Sequence, residues 1–260
     1  MAERARVLTE APPEGFCVDA KGLLVKEETL KGYSKADYHL HTSVGDGVMT
    51  PEEIVDYSEN STDLKVIAIT DHDKVKGGFI AQEHADRKQY KIEVIAGEEV
   101  STLRGHLIGL FMKRRVRRYT CLVDTIKDIH GQGGICIVPH PLSWLTTSIG
   151  KLAFKKVFES KEDDVYFDAV ELLNPAIAGR VTGDKALKMN LALWRLPVAG
   201  GSDSHSIPGI GSAYTWFRGN TAEDFRKSIV EGSTLFGGRY WDLEEHLALF
   251  WEKFKRFKVF

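Results

Sequence analysis

Seven short β-type runs, for the most part separated by helical patterns, constrain the fold of this chain more than any other feature. They read ADYHLH (36–41), KVIAIT (65–70), IEVIAG (92–97), GHLIGLFM (105–112), GICIVPH (134–140), DAVELL (168–173) and PVAGGS (197–202). Helical patterns fall near 51–60, 78–90, 120–131, 150–160, 181–195 and 221–231. The first is opened by Thr50-Pro51-Glu52-Glu53, an N-cap followed by proline and acids at the positive end of the helix dipole. Such alternation predicts parallel strands joined by right-handed crossovers. VIAIT and GICIVP have no polar face, as strands covered on both sides require. No repeat or long linker interrupts the series after residue 35. We therefore expect a single α/β domain over 36–240, preceded by an N-terminal extension (1–35) whose residues 16–33 read as a short hairpin or strap. Leucines and aromatics at helical spacing over 241–260 predict a closing amphipathic helix.

The totals exclude several classes. With 43% hydrophobic and 28% charged residues and a formal charge of −2, no global basic field recruits nucleic acid. Cys17, Cys121 and Cys136 are odd in number, far apart and form no CxxC pair, which argues against a disulfide framework and a thiolate zinc site. A reducing cytoplasm is the expected location. The N-terminus lacks the apolar run of a signal peptide and no window approaches bilayer-spanning length, so neither secretion nor a membrane partner is expected.

Acids and histidines concentrate where the strands end. Side chains at i and i+2 of a strand share a face, so His39 and His41 can point at one ion, with Asp46 in the loop beyond. Asp71 and His72 follow the second strand, Glu98 and Glu99 the third, His140 closes the fifth, and Asp203 and His205 follow the seventh. These are carboxyl ends, where barrel and open α/β enzymes build their sites. His106 begins a strand, and Leu103-Arg104-Gly105 reads as a tight return that brings it back beside Glu99. Imidazole and carboxylate suit zinc, manganese and iron(II), and these candidates exceed what one tetrahedral zinc can use, so a multinuclear centre is expected. His84, His130 and His246 lie on helical patterns away from strand ends and read as ordinary surface or core histidines.

The order DYHLHT, DG, ITDHD, GEEVS, GHLIGLF, VPHP, ELLNP and GSDSH, from about Ala36 to about Phe217, resembles the polymerase and histidinol phosphatase (PHP) superfamily of metal-dependent phosphoesterases. The resemblance implies a distorted (β/α)7 TIM-like barrel holding two to three divalent ions of manganese, iron or zinc, in agreement with the strands read independently. It implies His39, His41, Asp46, His72, Glu99, His106, His140, Asp203 and His205 as ligands of a trinuclear centre. Glu99 would bridge two metals, His39 and His41 with Asp203 would complete one ion, Asp46, His72 and His205 would serve another, and His106 and His140 would hold the third. Glu98 departs from the family pattern, which more often has an apolar residue there. Asp71 and Asp73 are not ligands by this match and suit positions that orient His72 or accept protons from bound water.

A multinuclear pocket of net positive charge favours a phosphate ester, because metals neutralise its oxygens and lower the pKa of bound water to about 7. The expected reaction is hydrolysis of a small phosphomonoester or phosphodiester by a metal-bridging hydroxide. Glu99 would hold the metal pair together, and Asp71, Asp73 or a metal-bound water are the candidates to protonate the leaving oxygen. Arg180, after the sixth strand, and Arg104, in the return before His106, are candidates to bind phosphate. The run Lys113-Arg114-Arg115-Val116-Arg117-Arg118 follows a strand that leads away from His106 and reads as a solvated turn, so a small phosphorylated substrate is favoured over nucleic acid. Nucleotide-acting relatives carry a sizeable insertion between the positions of His106 and His140 that is missing here. Two other readings stay open, an amidohydrolase-type C–N hydrolase and a non-catalytic metal-stabilised scaffold. The absent strand-borne bridging lysine speaks against the first, and the full ligand set speaks against the second. No sequence feature fixes the oligomeric state.

Overall fold

The computed structural model describes residues 11–242 together with 245 and 246, so the expected closing helix over 241–260 lies almost wholly outside the described residues. The elements are β1 (Phe16–Val18), β2 (Leu24–Lys26), β3 (Tyr33–Leu40), α1 (Pro51–Ser61), β4 (Leu64–Ile69), α2 (Lys76–Lys88), β5 (Glu93–Thr102) and β6 (Gly105–Leu110). They continue with α3 (Leu122–Gly131), β7 (Ile135–Val138), α4 (Lys151–Phe158), β8 (Ala169–Leu173), α5 (Ile177–Met189), β9 (Val198–Gly200), β10 (Ala213–Arg218), α6 (Ala222–Val230) and β11 (Leu235–Gly238). All seven expected strands form. So does the expected cap of α1, where the Thr50 hydroxyl accepts the Glu53 N–H and the Glu53 carboxylate accepts the Thr50 N–H.

The strands lie in one sheet in the order β2-β1-β11-β10-β3-β4-β5-β6-β7-β8-β9. Pairing is parallel for β3–β4, β4–β5, β7–β8 and β8–β9, as the alternation predicts. It departs from that pattern at β6, which runs antiparallel to β5 and β7, because a return as short as Leu103-Arg104 permits only a hairpin. Residues 16–26 add the β1–β2 hairpin to the sheet through β11, and β10 and β11 are antiparallel strands beyond the expected seven. Among the described residues no β9–β3 ladder forms, although Leu40 and Ser204 make an isolated parallel bridge. Where β3 and β9 approach, the Thr215 hydroxyl of β10 bonds the Gly200 N–H and carbonyl at 3.0 and 2.9 Å. Further up, the His41 N–H reaches the Ser204 carbonyl at 2.9 Å and the Ser204 N–H reaches the His39 carbonyl at 3.2 Å. The first and last expected strands thus meet only at their carboxyl ends, beside the histidines.

Apolar residues divide into an inner cluster (Ala36, Tyr38, Val66, Ala68, Ile95, Ile108, Ile137, Ala169, Ala199) and outer clusters that pack helices against the sheet. One outer cluster joins Ile67 and Ile69 of β4 to Ile54, Val55, Ala81 and Ala85 of α1 and α2. The chain contains no helix, among the described residues, long and apolar enough to cross a membrane.

His130, at the end of α3, is more than an ordinary core histidine. Its Nε2 lies 2.9 Å from Asp168 Oδ2 and its Nδ1 2.8 Å from the Asp164 carbonyl, while Asp168 also accepts the Cys136 N–H at 2.7 Å. Burial is the largest single influence and lowers its pKa, but the hydrogen bonds to Asp168 and the Asp164 carbonyl together with the charges of both acids outweigh it, and the net shift is upward. A raised histidine stabilises the fold fully below the unfolded value of about 6.5, and the contribution fades as pH climbs through the folded value. Thermal melts of chelated wild type and His130→Gln should therefore differ most below about pH 6.5 and converge as pH climbs through the raised folded value. A gap that is constant or widens with pH would contradict the charged pair.

Candidate metal centre

Glu99 is buried on β5, and five imidazoles surround its carboxylate. Oε1 lies 2.8 Å from His106 Nδ1 and 3.1 Å from His140 Nε2; Oε2 lies 3.2, 3.3 and 3.4 Å from His39 Nε2, His41 Nε2 and His72 Nδ1. Asp203 Oδ1 lies 3.4 and 3.2 Å from the Nε2 atoms of His39 and His41, and Asp46 Oδ2 lies 3.1 Å from His205 Nε2. Three groupings of ligand atoms emerge: His39, His41, Glu99 and Asp203; His41, Asp46, His72 and His205; and His72, Glu99 and His106. All nine residues expected as ligands converge here. The groupings differ from those implied by the family in that His41 and His72 each belong to two of them and His140, which reaches Glu99, belongs to none.

Backbone irregularity aims these side chains. Asp37 pairs with Ile67 and Leu40 with Ile69, so β3 carries one extra residue. This bulge lets Tyr38 face the inner cluster while the neighbouring His39 reaches Glu99. A second shift, between Glu171 and Leu173 of β8, follows Glu171. His140, Asp203 and Asp73 have φ of 29°, 52° and 53°, conformations that cost energy for residues with a Cβ and that recur at functional sites. Gly105 (φ 126°) closes the β5–β6 return, and a Cβ there would stand 2.4 Å from the Ile149 nitrogen, so the hairpin holding Glu99 and His106 needs glycine at this point.

The residues fit divalent cations. Burial raises the Glu99 carboxyl, but His72, His39, His106 and His140 around it hold it well below its usual range. Asp203 behaves alike through His39 and His41. Burial lowers His41, yet Asp203 and Glu99 push it up to about 10. Among the described residues, every ion pair of Glu99, Asp203 and Glu171 is to a histidine, never to lysine or arginine. His41 Nδ1 and Nε2, His72 Nδ1 and His106 Nδ1 are buried within 4 Å of the Glu99 or Asp46 carboxylate but out of line for a regular hydrogen bond. Carboxylates without fixed cations and imidazole nitrogens without donors form the donor set that zinc, manganese or iron(II) takes.

Glu171 is the functional residue that sequence reasoning missed. Its Oε1 accepts from Tyr38 Oη (3.1 Å) and His39 Nδ1 (3.0 Å), and its Oε2 from the His140 N–H (2.8 Å) and Asn174 Nδ2 (2.9 Å). Asn174 Nδ2 also reaches Asp203 Oδ2 at 3.2 Å. Protonation of His39 on Nδ1 leaves Nε2 to face the centre, and Ser148 Oγ, 2.7 Å from His140 Nδ1, can orient that ring in the same way. Asp37 bonds the N–H groups of Ser202 and Gly211, tying β3 to the SDSH loop, and burial pushes its carboxyl up to about 6. The available signals were an acid inside the apolar run AVELL and another just before YHLH.

Several expectations are corrected. Asp71 accepts the Thr42 N–H and hydroxyl at 2.6 and 2.7 Å, and Asp73 accepts the Ser101 N–H at 2.8 Å, so both carboxylates fix loops instead of facing the centre as proton donors. Glu98 points to the opposite face of β5 from Glu99 and accepts the Val116 N–H, and burial pushes it up to about 7. The strand β6 leads away from His106 as expected, but the basic turn after it comes back. It returns along β5, with the Tyr119 N–H on the Ser101 carbonyl and the Leu103 N–H on the Thr120 carbonyl, and Arg114 pairs with Asp128. Neither arginine expected to bind phosphate forms an ion pair with the ligands among the described residues; Arg180 stands over the Tyr240 ring, and Arg104 lines a separate cleft.

The chain is similar to proteins of the PHP superfamily over part of its sequence and in its fold. A family model described as PHP-associated matches residues 189–234. An uncharacterised protein of Methanocaldococcus jannaschii is 31% identical over 151 residues, covering 54% of this chain and 81% of that protein. A 5'-3' exoribonuclease of Haemophilus influenzae is 34% identical over 99 residues, but the match covers only 36% of this chain and 35% of the enzyme. A two-domain protein of Bacteroides vulgatus containing a predicted PHP-like metal-dependent phosphoesterase shares the fold, with a TM-score of 0.62 and 20% identity over 86% of this chain and 71% of that one.

If Glu171 orients His39 and His140 as ligands, Glu171→Ala should weaken metal affinity by about 10- to 100-fold, and Glu171→Gln, which can still accept from His39 Nδ1, should recover part of the loss. Titration against a chromogenic chelator measures both. Unchanged affinity in Glu171→Ala would remove Glu171 from the metal centre.

Proposed function

We propose that this chain is a metal-dependent phosphoric ester hydrolase acting on a small phosphomonoester or phosphodiester at the cluster around Glu99. One observation carries the reading: both oxygens of a single buried carboxylate are shared among imidazoles from β3, β6 and the segments following β3, β4 and β7. A lone tetrahedral zinc has no use for such sharing, whereas adjacent ions need a bridging carboxylate. Residues 36–240 hold all of these groups and form the phosphoesterase domain.

Two to three divalent ions of manganese, iron or zinc bound there would supply Lewis acidity toward the phosphoryl oxygens and a water of pKa about 7. The chain's own residues do the positioning. Glu99 joins the ligand groups, with His39, His41 and Asp203 on one side, Asp46, His72 and His205 toward solvent, and His106 and His140 on β6 and beyond β7. Glu171 and Asn174 keep His39, His140 and Asp203 in place, so the donors are set before substrate arrives. Asp46 and His72, with side chains 48% and 31% exposed, mark the mouth through which the ester enters. Asp71 and Asp73 act as positioning residues, because Thr42 and Ser101 engage them.

The test combines elemental analysis of protein purified without chelator with a phosphate-release screen over mono- and diesters. We expect about two or more transition-metal ions per chain, and turnover that His39→Ala and Glu99→Ala each reduce by more than about 100-fold. A single ion per chain, or variants that keep their turnover, would contradict this function. Cleavage of amides without any phosphoester cleavage would instead favour the C–N hydrolase reading.

A further inference from the structure

A second concavity lies apart from the ligand cluster and shares no residue with it. This cleft of about 360 Å³ opens between the β5–β6 turn, the start of α3 and one face of α4. Leu103, Leu122, Val123, Leu152, Ala153 and Val157 give it an apolar lining, and Arg104 and Lys156 add two cations. Leu103 and Leu152 are 64% and 84% exposed, so the cleft leaves large apolar side chains in water at its edge. Neither cation has a carboxylate in ion-pair range among the described residues. The nearby acids Glu159 and Glu162 are engaged by Lys155 and Lys127.

Apolar concavities of a few hundred Å³ carrying a small number of fixed polar groups are the usual form of small-molecule sites. The two kinds of lining residue ask for two parts in one ligand. An apolar body gains by covering Leu103, Val123 and Leu152, while an anionic group gains charge-assisted hydrogen bonds from Arg104 and Lys156. A fully apolar ligand would strip water from both cations without replacing it, and a small inorganic anion would leave the leucines exposed. We propose that this cleft binds a small amphiphilic anion, an acyl-chain or aromatic body carrying one carboxylate or sulfonate-type head. The Thr102 hydroxyl holds the turn by bonding the Gly105 carbonyl and the Arg104 N–H, and the Leu103 N–H bonds the Thr120 carbonyl, so one wall of the cleft is formed before any ligand arrives.

Fluorescence titration of the chelated full chain with anilinonaphthalene sulfonate, followed by displacement with sodium decanoate, tests this. Chelation removes metal-centre binding of anions as an explanation. We expect saturable one-to-one binding, weakened about tenfold by Lys156→Glu and by Leu152→Glu and unchanged by Lys31→Glu on a remote exposed site. Because Lys156 and Leu152 are exposed, their variants should keep the wild-type melting temperature. Displacement by decanoate assigns an acyl-chain ligand, and probe binding without displacement assigns an aromatic one. Absence of saturable binding, equal binding by both cleft variants, or a response only to anionic lipid vesicles would overturn the proposal.

Discussion

An ionised carboxylate inside a protein needs positive charge or hydrogen-bond donors around it, and Glu99 and Asp203 meet that need mainly with imidazole. Imidazole is an ambiguous partner. It can carry a proton and act as a cation, or stay neutral and share a metal ion with the carboxylate. Lysine or arginine would have settled the charge permanently and left no role for a metal. The choice of histidine at every position around Glu99 is therefore the constraint from which the chemistry of this site follows.

Holding so many polar groups at one point works against regular secondary structure. A regular β3 would send Tyr38 and His39 to opposite faces, and its extra residue lets Tyr38 line the inner cluster while the His39 ring meets Glu171 and Glu99. His140 and Asp203 occupy left-handed backbone conformations, and each is fastened by a neighbour, His140 through its N–H to Glu171 and Asp203 through Asn174. Glu171 thus links ligands delivered by three separate segments. The strain is tolerable because the surrounding hydrogen bonds over-determine these positions.

Much of this was legible in the sequence, for identifiable reasons. Strands covered on both faces leave unbroken apolar runs, so VIAIT and GICIVP marked β4 and β7 directly. Ligands at carboxyl ends of strands leave short motifs next to those runs; eight of the nine expected ligands fall in the groupings and His140 reaches the same Glu99 carboxylate. What escaped depends on tertiary pairing. AYTWFR becomes β10 because β3 and β11 offer it edges, and nothing local to those six residues says so. Asp71 and Asp73 look like catalytic acids beside His72, yet Thr42 engages both oxygens of Asp71 and Ser101 of β5 engages one oxygen of Asp73. Glu171 reads as an isolated acid in AVELL until folding brings His39 and His140 to it. The basic turn at 113–118 reads as solvated from its composition, and only the hydrogen bonds of Val116 and Tyr119 reveal that it runs back along β5.

The account stands or falls on whether Glu99 is a carboxylate shared by neighbouring metal ions. Anomalous diffraction from crystals grown with manganese or zinc, recorded on both sides of the absorption edge, measures this directly. Two or more anomalous peaks, each within about 2.0–2.3 Å of a Glu99 oxygen and of at least one of the surrounding imidazoles, are the result this account predicts. A single peak held by other residues, with both Glu99 oxygens paired only to protonated histidines, would contradict it.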